Sequence, residues 1–381
     1  MNATRPEWLD IRPWQHNAET ATPALVERAL RSESPSEAEL AVLLSAAAGD
    51  FLEAMAERAQ ALTRRHFGRT IQLYVPLYLS DFCSGGCAYC GFASDRKGKR
   101  RRLEPDEVAA ELAALGHLGF EEVLLLTGER TPQAGFEYLR DCVTLAAGHF
   151  HSVTIETFPM STDEYAELCR LGCAGVTLYQ ETYDDALYHD LHRWGPKRDY
   201  SLRLEAPARA LAAGMRTVGL GALIGLADPV ADMLSLYRHA RHLMREHWQA
   251  GISLSFPRLC HERGDFVPPH PVSERYLAQI IFAFRICLED VALAISTRES
   301  PRFRDGIAGL GISKMSAGSR TTVGGYADGS ARGTGQFEVN DQRDLQTICD
   351  TLRRRGLEPV FKNWDAAYRE EPAAARDGAL R

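Results

Sequence analysis

Apolar positions change their period near residue 70. Before it they recur every three to four residues, which predicts helices. Thr22-Pro23 opens a run to about Leu30, Ser36-Glu37 opens another through Leu40, Val42, Leu43 and Leu44, and a third runs from Phe51 through Leu62 to Gly68. From residue 71 short apolar runs take over, at Ile71–Leu79, Glu122–Thr127, Ser152–Glu156, Gly175–Tyr179, Thr217–Ile224, Ile252–Phe256, Val291–Ser296 and, weakly, Gly311–Ser316. Helical patterns fill most gaps: Glu104–Leu118, Thr162–Leu171, Pro207–Ala213, Val230–Arg245 and Glu274–Leu288.

Strands alternating with helices predict a parallel sheet covered on both faces. Eight such units predict an α/β fold, a (βα)8 TIM-type barrel, with a doubly wound sheet as the rival. The expected organisation is a helical N-terminal extension over 1–70, the barrel over 71–318 and a C-terminal extension over 319–381. That last part starts Gly-rich, to about Gly335, and continues with a helix over Asp344–Arg355 and a short apolar piece at Leu357–Phe361. A frayed tail is expected from Glu370 onward.

Composition narrows the function classes. Lys and Arg number 44 against 51 Asp and Glu, a net charge of −7. Such a chain has no bulk attraction for nucleic acid or anionic lipid. The start, MNATRPEWLDIRPW, lacks an apolar signal core, and no apolar run approaches the roughly 18 residues of a membrane span. A cytoplasmic location is expected, and binding to nucleic acid or membrane would need a local patch. Nine cysteines, an odd number with three clustered, suit metal binding or reactivity better than a disulfide framework.

The cluster is Cys83-Ser-Gly-Gly-Cys87-Ala-Tyr-Cys90, a CX3CX2C spacing directly after the first expected strand. One short loop of this kind can place three thiolates on three corners of a cube. Gly85 and Gly86 are expected to supply the backbone angles and the close approach. Zinc wants four ligands; the next cysteine is Cys142 and the loop holds no histidine. Three thiolates suit a [4Fe-4S] cluster with one open iron. Zinc and inert thiols are the alternatives.

The loop is the radical S-adenosylmethionine (SAM) signature. The wider stretch VPLYLSDFCSGGCAYCGF resembles the aromatic amino acid lyases of that superfamily, above all the tyrosine lyases of thiamine thiazole biosynthesis. The resemblance continues through LLTGE (125–129), STDEYAEL (161–168), LYQETY (178–183), GLGALIGL (219–226), SFPRL (255–259), STRESPRFRD (296–305), GGYAD (324–328) and KNWD (362–365), covering roughly residues 70 to 368. It implies that SAM chelates the open iron and that one electron releases a 5′-deoxyadenosyl radical. The protein then supplies position and exclusion of water.

The resemblance also distributes roles. Cys83, Cys87 and Cys90 would hold the cluster. Tyr89 would flank the adenine, and the strand around Leu223 would lie against it. Gly128 and Glu129 would meet the methionine ammonium, Arg203 its carboxylate, and Glu156 the ribose hydroxyls, unless Thr154 or Thr157 does so. For the substrate, the fork of Arg298 suits an α-carboxylate, with Ser316 as a second contact. Tyr78 would face the amino group, and Glu181 could face either ligand. Rival readings are an Arg298–Glu299 ion pair, a surface charge at Arg203, an exposed acidic turn at Glu129, a turn residue at Ser316 and a core Tyr78. Nearly all these residues fall at the expected C-terminal ends of strands, where barrel active sites form.

Other signals read as structural. The basic run after Asp95 (RKGKRRR) is expected to be a solvated loop, or else a dock for an acidic electron donor. Cys169 and Cys173 are expected to be buried thiols, and His239, His242 and His247 ordinary surface or core histidines. The reaction implied is fragmentation of L-tyrosine at Cα–Cβ to p-cresol and 2-iminoacetate, with flavodoxin or a ferredoxin-type protein as reductant. The imine would pass to the thiazole synthase, which could dock on the N-terminal helices or the Gly-rich segment. Rivals are the hydrogenase-maturation tyrosine lyase, whose C-terminal extension carries a second cluster, the tryptophan lyases, a tRNA-modifying radical enzyme, and a non-catalytic iron–sulfur redox module. After Cys287 this chain holds only Cys349, too few thiols for a second cluster.

Overall fold

Eight short strands, each nearly buried on both faces, close into a ring. The computed structural model describes residues 6–259, 266–329 and 335–361. The strands are β1 (Thr70–Tyr78), β2 (Glu122–Leu126), β3 (Ser152–Glu156), β4 (Cys173–Thr177), β5 (Thr217–Gly221), β6 (Gly251–Ser255), β7 (Ala292–Ile295) and β8 (Lys314–Ser316). Neighbours pair in parallel from β1 round to β8. β8 returns to β1 through Gln72↔Lys314 and Tyr74↔Ser316, so the sheet is a closed barrel, as expected, and not a doubly wound sheet. The expected apolar runs overshoot the ends of β4, β5 and β6 by two, three and one residues.

A ninth strand, β9 (Glu358–Val360), comes from the expected apolar piece at 357–361. It pairs with Thr70–Gln72 on the side of β1 where β2 takes over from Val75, so it fills the base of the barrel. Inside that base Glu122 bonds both Gln72 and Lys314, and Lys314 lies 4.9 Å from the Tyr74 ring centre.

The expected N-terminal helices form at Arg12–Glu19, Pro23–Arg31, Glu37–Leu43 and Leu52–Phe67. Their starts and stops follow from local chemistry. Thr22 caps Leu25 N–H, Ser36 and Glu39 form a capping box, and Gly68 ends the last helix at φ 62°. These helices bury Leu40, Leu43 and Met55 against the helix Glu274–Cys287. That helix is apolar almost all round because it lies between them and the barrel. Gln279 fastens the contact by donating to the carbonyls of Leu43 (2.9 Å) and Ser45 (2.8 Å). His239 and His242 serve the same packing. Trp8 stacks on His242 at 4.3 Å and sits 5.3 Å from His239, while Arg238 donates to Trp8 O.

After β8 the chain returns over the barrel mouth. Glu111, on the helix Pro105–His117, accepts the N–H groups of Gly325, Tyr326 and Ala327, and Tyr326 donates to Pro76 O. The Gly-rich segment is therefore packed down where it is described. Residues 330–334, the KNWD stretch and the tail from Glu370 lie outside the described residues. No described helix is long and apolar enough to cross a membrane.

Candidate active site

The cysteine loop leaves β1 and is braced from two sides. Asp81 accepts Arg101 N–H at 2.7 Å, Arg100 donates to the carbonyls of Asp81 (2.9 Å) and Ala93 (2.7 Å), and Arg96 donates to Ala88 O (3.0 Å). The basic run is thus not simply a solvated loop. Its arginines fold back as structural donors, and Lys97 and Lys99 are left exposed. From the other side, Ala88 N–H bonds Leu191 O and Gly86 N–H bonds Trp194 O, each at 3.0 Å.

Close approach, and not backbone angle, explains Gly86 and Gly128, whereas a Cβ on Gly85 would meet nothing nearer than 3.6 Å. Neither Gly85 nor Gly86 has positive φ, which corrects one expectation. A Cβ on Gly86 would lie 2.3 Å from the Trp194 ring, and one on Gly128 would lie 2.5 Å from Phe82 O. Gly128 thereby lets the loop after β2 touch the cysteine loop. Glu129 N–H donates to Cys83 Sγ at 3.3 Å, and Phe92 N–H to Cys90 Sγ at 3.4 Å.

Glu129 and Arg203 are buried, not on the surface, and pair at 3.0 Å. Arg203 also donates to Tyr179 O at 2.7 Å. Its second nitrogen lies 3.7 Å from Glu181, and Glu181 pairs with Lys197 at 2.6 Å. Burial works against the Glu181 carboxylate, but Lys197 and Arg203 outweigh it and hold the pKa low. Lys197 was invisible in the sequence. It sits in a single turn, Pro196–Arg198, and only the fold brings it to Glu181. Glu129 Oε2 is buried with no partner among the described residues. Glu181 is the one described non-glycine residue with positive φ, 70°. Such a conformation costs about 1–3 kcal/mol and persists where surroundings fix it.

Tyr89 lies beside this group, its hydroxyl 2.8 Å from His192 Nε2. His192 Nδ1 is 2.7 Å from Tyr188 O, a pure acceptor, so Nδ1 carries the hydrogen and Nε2 accepts from Tyr89. Burial holds His192 neutral, down to about 3. Leu223 packs with Tyr89 and Cys87, and its N–H donates to Glu181 O at 2.7 Å.

Tyr89, Cys90, Glu181, Lys197 and Leu223 line a cavity that also meets Tyr78, Glu156, Arg298 and Ser316. Tyr78 donates to Gln336 Oε1 at 2.7 Å. Arg298 stacks on Phe337 at 3.5 Å from the ring centre. Glu299 takes a different partner from the rival reading, pairing with Arg258 at 2.7 Å. Ser316 Oγ accepts Thr297 N–H at 3.2 Å. Burial, with Glu181 adding to it, raises Glu156 to about 7. Thr157 lies off the cavity, its hydroxyl on Phe158 O, and Thr154 lines the barrel interior below. Gln336 and Phe337 were missed because they follow a Gly-rich stretch in a segment with no periodic pattern.

Eight of the thirteen expected residues line this cavity, and Cys83, Cys87, Gly128, Glu129 and Arg203 pack around its cysteine-loop side. Glu181, which could face either ligand, lies with Arg203 and Lys197, and through Arg203 with Glu129. Burial raises all three loop thiols, Cys90 to about 11, so they need a positive centre to ionise. Among the described residues no three His, Cys, Asp or Glu side chains converge as ligands of one metal ion do. A cube takes its thiolates on separate irons and spaces them wider, so the donor set fits a cube better than zinc. The partnerless Glu129 oxygen beside it fits an ammonium.

Known proteins share this arrangement. The radical SAM superfamily matches residues 77–240, and the Biotin and Thiamin Synthesis associated domain matches residues 255–358. The 2-iminoacetate synthase of Salmonella typhimurium is 44% identical over 94% of this chain and 95% of its own length. That of Escherichia coli is 43% identical over the same shares. The crystal structure of HydG, a maturase of the [FeFe]-hydrogenase, superposes with a TM-score of 0.89 at 29% identity, covering 95% of this chain and 82% of that one. With the three-cysteine loop at the mouth of a closed parallel barrel, these matches show that the chain belongs to the radical SAM superfamily and, within it, to the 2-iminoacetate synthase family.

Proposed function

We propose that this chain is a radical SAM lyase that breaks the Cα–Cβ bond of L-tyrosine, giving 2-iminoacetate and p-cresol with 5′-deoxyadenosine and methionine. One observation carries the reading: a single cavity is lined by Cys90 of the cysteine loop, Glu181 and Lys197 as well as by Arg298 and Ser316, and the Glu129–Arg203 pair adjoins it through Glu181. The cluster and SAM supply, when bound, the one-electron chemistry that generates a hydrogen-abstracting carbon radical. The chain's own residues do the rest. Cys83, Cys87 and Cys90 hold the cluster. The free oxygen of Glu129 accepts the SAM ammonium, and Arg203 with Lys197 presents positive charge to its carboxylate. Glu181 fixes both cations. Tyr89 and Leu223 form the adenine wall, and Glu156 reaches the ribose.

For tyrosine, the Arg298 fork with Ser316 binds the carboxylate and Tyr78 approaches the amino group. Phe337 holds the Arg298 guanidinium flat. Burial of the cavity excludes water, which would quench a radical and hydrolyse the imine to glyoxylate and ammonia. That lability supports direct transfer of the imine to a thiazole synthase, and Lys97 and Lys99 beside the loop support an acidic flavodoxin or ferredoxin as electron donor. A hydrogenase maturase fits less well, since this chain is 29% identical to HydG but 44% identical to the Salmonella synthase.

Competition between amino acids tests the substrate. With tyrosine and tryptophan offered together to the reduced holoenzyme, tyrosine should be consumed and p-cresol should accumulate. Consumption of tryptophan alone would overturn the assignment.

A further inference from the structure

Glu181 holds a left-handed backbone that a glutamate does not adopt unaided. Its side chain faces Lys197 and Arg203, and its carbonyl accepts Leu223 N–H at 2.7 Å. Those contacts orient the residue once it is in place, but the turn must be fixed from behind. The next two residues supply the grip. Thr182 Oγ1 (3.0 Å) and Tyr183 N–H (2.8 Å) both donate to one oxygen, Asp232 Oδ1. Thr182 Oγ1 in turn accepts Asp184 N–H at 3.1 Å.

Asp232 lies in the first turn of the helix Pro229–Glu246, is 2% exposed and does not line the cavity. Its other oxygen is buried with no partner among the described residues. A carboxyl this buried is costly, and raised to about 7. An aliphatic residue would fill the space without that cost, so the two bonds to 182 and 183 are what the carboxyl provides. The same helix carries Arg238 and His242, which hold Trp8 of the N-terminal segment.

We propose that Asp232 is a positioning residue for SAM: it clamps Thr182 and Tyr183, so that Glu181 keeps its left-handed turn and presents its carboxylate to Lys197 and Arg203. The inference rests on the reading that Glu181, Lys197 and Arg203 belong to the SAM end of the cavity.

The test is a double-mutant cycle on the cluster-reconstituted holoenzyme under anaerobic conditions. SAM and tyrosine affinities are measured by equilibrium dialysis for the wild type, Asp232→Ala, Glu181→Gln and the double variant. Loss of the clamp should weaken SAM binding about ten-fold and leave tyrosine binding unchanged. Asp232→Asn, which keeps the accepting oxygen, should bind SAM within about three-fold of wild type. On the Glu181→Gln background Asp232→Ala should add little, because both act through one carboxylate. Equal losses on both backgrounds, or wild-type SAM binding by Asp232→Ala, would overturn the proposal. Unchanged SAM binding by Glu181→Gln would instead overturn the underlying site reading. Should Asp232→Ala fail to take up iron, Thr182→Val removes one of the two bonds at nearly constant shape, and the same cycle applies.

Discussion

Charges at the cavity are paired so that one acceptor stays open. Glu129 bonds Arg203 through one oxygen, and its other oxygen is buried without a partner among the described residues. A buried pair of this kind adds little net stability, so its worth lies in what the open oxygen accepts. Glu129→Gln should weaken SAM binding about 10- to 100-fold, the worth of a charge-assisted hydrogen bond, while tyrosine affinity holds. Titration calorimetry on the holoenzyme would read both. Glu156 makes a second prediction. Its folded pKa, about 7, exceeds the ordinary 4.5, so the folded state binds the extra proton between those values. Stability is highest below pH 4.5 as far as this group is concerned, and falls as pH rises toward 7. Glu156→Gln should therefore raise the melting temperature of the cofactor-free protein at pH 8, and the gain should vanish near pH 5. A gain independent of pH would contradict the burial argument.

Elements were legible where physics is local. The eight barrel strands stand out because both their faces are buried, which leaves short unbroken apolar runs between capped helices. Ser36, Ser161 and Ser273 mark helix starts through their own side chains. β8 was faint because only three residues pair and one of them is Lys314, turned toward Glu122 inside the barrel. Lys197, His192 and Asp232 could not be found, since each acts through a partner distant in sequence. The basic run was misread for the same reason: the acceptors of Arg96 and Arg100 are carbonyls that only the folded loop presents. Arg100→Ala should leave the barrel folded but loosen the cysteine loop. Iron content after reconstitution should fall, with an unchanged circular dichroism spectrum; full iron content would show that the brace is dispensable.

At the scale of the molecule, the N-terminal helices are part of the barrel's covering. Leu40, Leu43 and Met55 are fully buried, and Gln279 and Tyr276 bond carbonyls of residues 43–45. Removing residues 1–60 would bare the apolar helix Glu274–Cys287, so the truncated chain should aggregate. A soluble truncated protein with a cooperative melt would contradict this. Truncation is accordingly a poor probe of partner docking on these helices.

The most direct test of the lyase assignment is the joint appearance of two products. The protein is reconstituted with iron and sulfide without oxygen, reduced with dithionite, and given SAM and tyrosine. Chromatography should show p-cresol and 5′-deoxyadenosine forming together, and Cys87→Ala should abolish both. Formation of 5′-deoxyadenosine without p-cresol would contradict tyrosine cleavage, even though SAM cleavage itself would stand.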